Sequence, residues 1–113
     1  SDLLPHLLAF AYFQAIAEQP AAKDYLSLAG PGFRDFTRIA AGEPAVWRDI
    51  LLANKHEVLA QSKRFRTMLD QLEALIELGD AAGLEAALRP IAEGREAWNM
   101  STPAAPPGRP TAK

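Results

Sequence analysis

The residues best suited to chemistry in this chain cluster in the run Gly30-Pro31-Gly32-Phe33-Arg34-Asp35-Phe36-Thr37-Arg38. A glycine-marked break followed by a helix start exposes backbone N–H groups at the positive end of a helix dipole. Arg34 and Arg38 are four residues apart, so they share one face of that helix. Arginine grips a carboxylate or phosphate through paired N–H donors, and the segment reads as an anion site. The same spacing also allows a purely structural arrangement, with Arg38 paired to Asp35 and Arg34 solvated. Pro31 removes one donor from the loop.

Two histidines, His6 and His56, are the remaining side chains suited to acid/base work. His6 sits near the start of an apolar helix, where it could donate to an anionic ligand or act as an acid/base. It could equally be a half-buried residue bonded to backbone. His56 lies in a polar stretch and reads as surface. Trp47 and Trp98 sit at helical core spacing. The chain has no cysteine, which excludes disulfides, cysteine-based zinc or iron–sulfur sites and a cysteine nucleophile. There is no serine–histidine–aspartate pattern, phosphate loop, dinucleotide fingerprint or metal-ligand spacing. By itself, then, the chain does not read as a complete enzyme.

The elements that must position these residues are all helical. With 113 residues, 49% hydrophobic and 23% charged, the chain has the length and composition of one soluble domain. Its net charge of -2 and pI of 5.6 argue against nucleic-acid or anionic-membrane binding. The most apolar run, Leu3 to Ala17, is shorter than the ~20 residues of a membrane span and has no basic segment ahead of it. A cytoplasmic location is the expectation. The chain opens at Ser1 rather than Met and enters that apolar run at once, which reads as a segment of a larger protein.

The first helix is expected over Pro5–Glu18, capped by Asp2 or Ser1, and it is apolar nearly all round. A short turn of helix is expected over Lys23–Leu28, and a second helix over Phe33–Ala41. Gly42-Glu43-Pro44 then restarts the chain. The third and dominant helix is expected over Pro44–Leu78, where Leu51, Val58, Phe65 and Leu72 recur every seven residues and Asn54 and Gln61 interrupt the companion row. About 34 residues at 1.5 Å each give about 50 Å, far beyond the ~13 Å radius of gyration of a compact domain this size. The seven-residue row alone could be an intramolecular seam, but a second subunit is the economical partner for such a helix, and a homodimer is expected. Gly79 and Asp80 suit a helix end and a helix cap. A fourth helix is expected over Ala81–Trp98, antiparallel to the third and kinked or split at Pro90. The fold class is therefore all-α, with one helical domain over 1–100 and a disordered proline-rich tail over 101–113.

Three blocks of this sequence resemble the C-terminal helical domain of the prephenate dehydrogenases, including their arogenate and cyclohexadienyl variants. Leu4-Pro5-His6-Leu7-Leu8-Ala9 resembles the family's HLPHLLA stretch. Ala29-Gly30-Pro31-Gly32-Phe33-Arg34-Asp35-Phe36-Thr37-Arg38-Ile39-Ala40 resembles its AGGGFRDFTRIA, and Pro44 to Asn54 resembles its PxMWRDIFLAN. The order and spacing hold from about Leu3 to Trp98. Leu3 replaces the first histidine, Pro31 a glycine, and Val46 a methionine.

The resemblance implies a two-domain oxidoreductase of tyrosine biosynthesis. An N-terminal Rossmann domain outside this sequence would bind NAD or NADP and supply the catalytic histidine. Prephenate would be oxidised and decarboxylated to 4-hydroxyphenylpyruvate, or arogenate to tyrosine. The helical domain would make the homodimer and complete the substrate pocket. By matching motif, Arg38 would hold a substrate carboxylate and His6 would lie near the substrate, in a stretch linked with feedback inhibition by tyrosine. Gly32 and Trp47 would line or support the pocket. No catalytic, cofactor-binding or metal-binding residue is expected in this chain, which alone would be inactive and would not bind NAD. The alternative reading is a free-standing helical interaction or amino-acid-sensing module without catalysis.

Overall fold

The computed structural model describes residues 2–101, with the side chains of 99–101 left out. It contains six α-helices and one 3-10 turn, and no strand among the described residues: α1 Leu3–Ala17, α2 Ala22–Ser27, α3 Pro31–Thr37, a 3-10 turn Arg38–Ala41, α4 Pro44–Ala53, α5 Lys55–Leu78 and α6 Ala81–Ser101. The all-α class is as the sequence implies. The tail expected over 101–113 lies, from residue 102 on, outside the described residues. No described helix is long and apolar enough to cross a membrane. The chain divides into two units, 2–60 and 61–101.

In the first unit, α1 is the element on which the others gather: α2, α3 and the 3-10 turn all pack on it. Its Leu- and Ala-rich sequence favours helix, and Pro5 is tolerated because an N–H in the first turn has no intrahelical partner. Asp2 precedes α1 but makes no side-chain cap. Its carbonyl instead accepts from the His6 N–H at 3.3 Å and from His6 Nδ1 at 2.8 Å. The helix ends where the Glu18 N–H closes on the Gln14 carbonyl at 3.0 Å, just ahead of Pro20. Leu3 and Ala9 on α1 and Val58 on α5 are the buried apolar residues among those described. An aromatic cluster joins α1 to α3: Tyr12 meets Phe33 and Phe36 edge-on with ring centroids 5.0 and 5.2 Å apart, and Phe13 stacks on Phe33 at 6.0 Å.

The second expected helix is in fact two pieces, α3 and the 3-10 turn. The change of winding follows Thr37, which is buried and donates its hydroxyl to the Phe33 carbonyl at 2.7 Å. A side chain bonding back to the i−4 carbonyl competes with the helical ladder and bends it.

The long helix expected over 44–78 is also not continuous. It breaks at Asn54, whose φ of -116° and ψ of 34° are not helical. Asn54 is a polar residue in an otherwise apolar row, and it is half-buried. It satisfies its amide by donating Nδ2 to the Ile50 carbonyl at 2.8 Å, while its backbone N–H points to the Ile50 and Leu51 carbonyls. That closes α4, and α5 begins one residue later.

In the second unit, Gly79 ends α5 with φ 67°, a left-handed conformation that favours glycine, and the Gly79 N–H donates to Ile76 at 3.0 Å. Asp80 caps α6, accepting from the Gly83 N–H at 2.8 Å. The final helix runs unbroken through Pro90, so of the expected kink or split the split does not occur. From residue 63 to 98, the fold partly covers only Leu72, Leu75, Gly83, Leu84 and Ala87, all close to the Gly79–Asp80 turn. Phe65, Met68, Leu69, Ile76, Leu88, Ile91 and Trp98 are exposed. Trp98, read from spacing as core, instead lies under the Arg95 guanidinium, 4.6 Å from its ring centroid.

Candidate functional site

The first unit brings two of the four expected site residues into direct contact. His6 on α1 and Trp47 on α4 stack with ring centroids 3.5 Å apart and planes 17° from parallel. A backbone carbonyl can only accept, so the contact with Asp2 places a proton on Nδ1 of His6 and leaves Nε2 outside that bond. Both residues are half-buried. Gly42 makes room for the indole: a Cβ there would stand 3.3 Å from both Cδ1 and Nε1 of Trp47. Glu43 starts α4 by accepting weakly from the Ala45 N–H at 3.5 Å, with Pro44 in the first helical turn. Trp47 is thus set by a glycine, a cap and a proline in immediate succession.

The other two expected residues lie on the segment from Gly30 to Arg38. Gly30 precedes α3 in an extended conformation, and the helix begins at Pro31, two residues earlier than expected. Gly32 occupies the second helical position, exposed, with nothing within 4 Å of where a Cβ would sit. Arg38 opens the 3-10 turn and is exposed.

Arg34 and Arg38 do share one side. Together with Phe13, Leu26, Ala29, Phe33, Asp35 and Thr37 they line an open cavity of about 440 Å³. That volume falls in the ~300–1,000 Å³ range of small-molecule sites. Arg34 donates its Nε to the Ala29 carbonyl at 3.3 Å, which ties the guanidinium to the cavity rim. The structural alternative for Arg38 is not realised: no ion pair joins it to Asp35 among the described residues. The cavity therefore has an apolar floor from α1, α2 and α3 and two guanidinium groups in its wall. That is a suitable arrangement for a small molecule carrying a carboxylate.

Of the four expected residues only Arg38 lines this cavity; His6 and Trp47 form a stacked pair apart from it, and Gly32 belongs to neither group. Sequence reasoning missed Gly42, Phe13 and Leu26. Phe13 and Leu26 carry no local signal beyond hydrophobicity. Gly42 does carry one, since it stands just before a cap, a proline and a tryptophan. His56 is exposed, as its polar neighbourhood implies. No cluster of three potential metal ligands occurs among the described residues.

Comparison with known proteins places this architecture. Residues 2–90 match the family described as prephenate dehydrogenase, dimerization domain. A prephenate dehydrogenase of Bacillus subtilis is 45% identical over 56 residues, covering 50% of this chain and 15% of that protein. A cyclohexadienyl dehydrogenase of Zymomonas mobilis is 32% identical over 79 residues, 68% of this chain and 27% of the relative. A prephenate dehydrogenase of Lactococcus lactis is 33% identical over 85 residues, 72% and 23%. The crystal structure of Synechocystis arogenate dehydrogenase superposes with a TM-score of 0.76 and 28% identity, over 85% of this chain and 36% of that one. The chain thus spans between 15% and 27% of the length of these curated relatives. From its helical fold, the matching family profile and these relatives, the chain belongs to the prephenate dehydrogenase dimerization-domain family.

Proposed function

We propose that this chain is the C-terminal dimerisation and substrate-binding region of a prephenate or arogenate dehydrogenase, an oxidoreductase of tyrosine biosynthesis. Oxidative decarboxylation would turn prephenate into 4-hydroxyphenylpyruvate, or arogenate into tyrosine. NAD or NADP would take the hydride. The chain spans between 15% and 27% of the length of relatives that are dehydrogenases, and the cofactor is assigned to a domain outside this sequence. This chain's part is to hold the substrate and to pair two copies.

The observation that carries the reading is the cavity wall containing Arg38, an exposed guanidinium with no ion pair among the described residues, above an apolar floor. A carboxylated, partly apolar ring fits those surroundings. Arg38 is assigned to a substrate carboxylate. His6 and Trp47, stacked on each other, form the second part of the site. Gly32 is assigned to the open start of α3, where nothing stands within 4 Å of a Cβ position. The pairing surface is supplied by the exposed apolar residues of α5 and α6.

The test is an enzyme assay on the chain joined to its NAD(P)-binding domain, following formation of the reduced nicotinamide with prephenate and with arogenate. A charge-assisted hydrogen bond contributes about 1.5–3 kcal/mol, so Arg38→Ala is expected to raise KM roughly 10- to 100-fold. Unchanged kinetics in that variant would remove Arg38 from the site. Absence of turnover with either substrate would remove the dehydrogenase reading.

A further inference from the structure

The cavity beside α3 has two guanidinium groups in its wall, and only Arg38 is assigned a substrate carboxylate. Arg34 is the second. Its Nε donates to the Ala29 carbonyl at 3.3 Å, so the side chain reaches back past the start of α3 at Pro31. Neither Nη group takes part in that bond. Arg38 stands about one turn further on, about 6 Å along the axis at a rise of 1.5 Å per residue. The bond therefore holds Arg34 at the Ala29 end of the cavity, away from Arg38. Asp35 shares the wall, but among the described residues it forms no ion pair with either arginine. The floor is apolar, from Phe13, Leu26 and Phe33.

Resting on the dehydrogenase reading above, we propose that Arg34 and Arg38 hold the two carboxylates of one substrate molecule, one each. Arg34 is then a second binding residue of the cavity. Prephenate and arogenate each carry one carboxylate on a ring carbon and another at the end of a short side chain on that same carbon. Two separated guanidinium groups over an apolar floor suit two anionic groups joined through a ring. A single carboxylate would engage both arginines only if they converged, and the bond to Ala29 opposes that. The same bond orders Arg34 before a ligand arrives, which lowers the entropy cost of gripping an anion.

The proposed reaction removes the ring carboxylate, so the product keeps one carboxylate of the two. That gives the arginines different signatures in the full enzyme, this chain with its NAD(P)-binding domain. Arg34→Ala and Arg38→Ala should each raise KM for the substrate turned over about 10- to 100-fold. Only one of the two should weaken inhibition by the product, 4-hydroxyphenylpyruvate or tyrosine, by a similar factor; the other should leave it unchanged. Arg34→Lys should recover part of the loss, because it keeps the charge but not the planar fork. An Arg34 that only fastens the Ala29 carbonyl would lower Tm in Arg34→Ala and leave KM and product inhibition alone, which overturns the proposal. So does any result in which the two alanine variants change product inhibition alike, since one carboxylate then accounts for both arginines. Either result, with Arg38→Ala still raising KM, leaves the proposed function standing. Absence of turnover in the parent enzyme defeats the dehydrogenase reading itself.

Discussion

Replacing Gly42 by alanine isolates the close approach that seats Trp47. The φ of -72° and ψ of 173° at this position suit any residue, so backbone strain does not enter. Alanine narrows the unfolded ensemble and should stabilise by about 0.4–1 kcal/mol where the space is free. Here it is not free: the new Cβ would stand 3.3 Å from two indole atoms and 3.5 Å from the Ile39 carbonyl. The ring must give by a few tenths of an ångström, and the His6 ring stacked at 3.5 Å resists that movement. Overpacking of this kind costs about 1–3 kcal/mol, which leaves a net loss of about 1 kcal/mol. For a folded region this size that is a fall in Tm of about 4–8 °C. The assay is thermal unfolding followed by circular dichroism at fixed chain concentration, with His6 ring protons followed by NMR. Gly32→Ala is the control: it adds a Cβ to a helical site with nothing within 4 Å and should raise stability by about 0.5–1 kcal/mol. A Gly42→Ala protein as stable as the parent, with unmoved His6 resonances, would refute the packing argument.

Three further outcomes follow from the fold. Val58→Ala, at one of the few buried apolar positions, should cost about 2 kcal/mol in thermal or urea unfolding. Asp80→Ala removes the acceptor for the Gly83 N–H and should cost about 1 kcal/mol, a loss that Asp80→Asn should largely avoid. Asn54→Leu removes the amide that closes α4 and completes the apolar row, so amide exchange across residues 53–57 should slow as α4 and α5 join.

Helix identity was legible in the sequence because apolar periodicity, proline and glycine mark each segment. What local pattern does not mark is a side chain that competes with its own helix. Asn54 stands at a row position and, on spacing alone, only interrupts the row; its amide in fact takes the Ile50 carbonyl and ends the helix. Thr37 does the same on a smaller scale, and α3 gives way to a 3-10 turn. Pro90 is different, since of the kink or split it implies only the split is excluded: an exposed helix absorbs one missing N–H without dividing. In the candidate site, Arg34 and Arg38 could be placed on one side because four-residue spacing fixes it. The contact between His6 and Trp47 joins two distant helices, and no local spacing reveals it. Family resemblance alone pointed to that pair.

The apolar surface left exposed on α5 and α6 is proposed as an interface, and the molar mass of the chain in solution tests this most directly. Sedimentation equilibrium over a concentration series should return twice the 12.3 kDa of one chain, with dissociation only at the dilute end. A mass of 12.3 kDa throughout the series would contradict it.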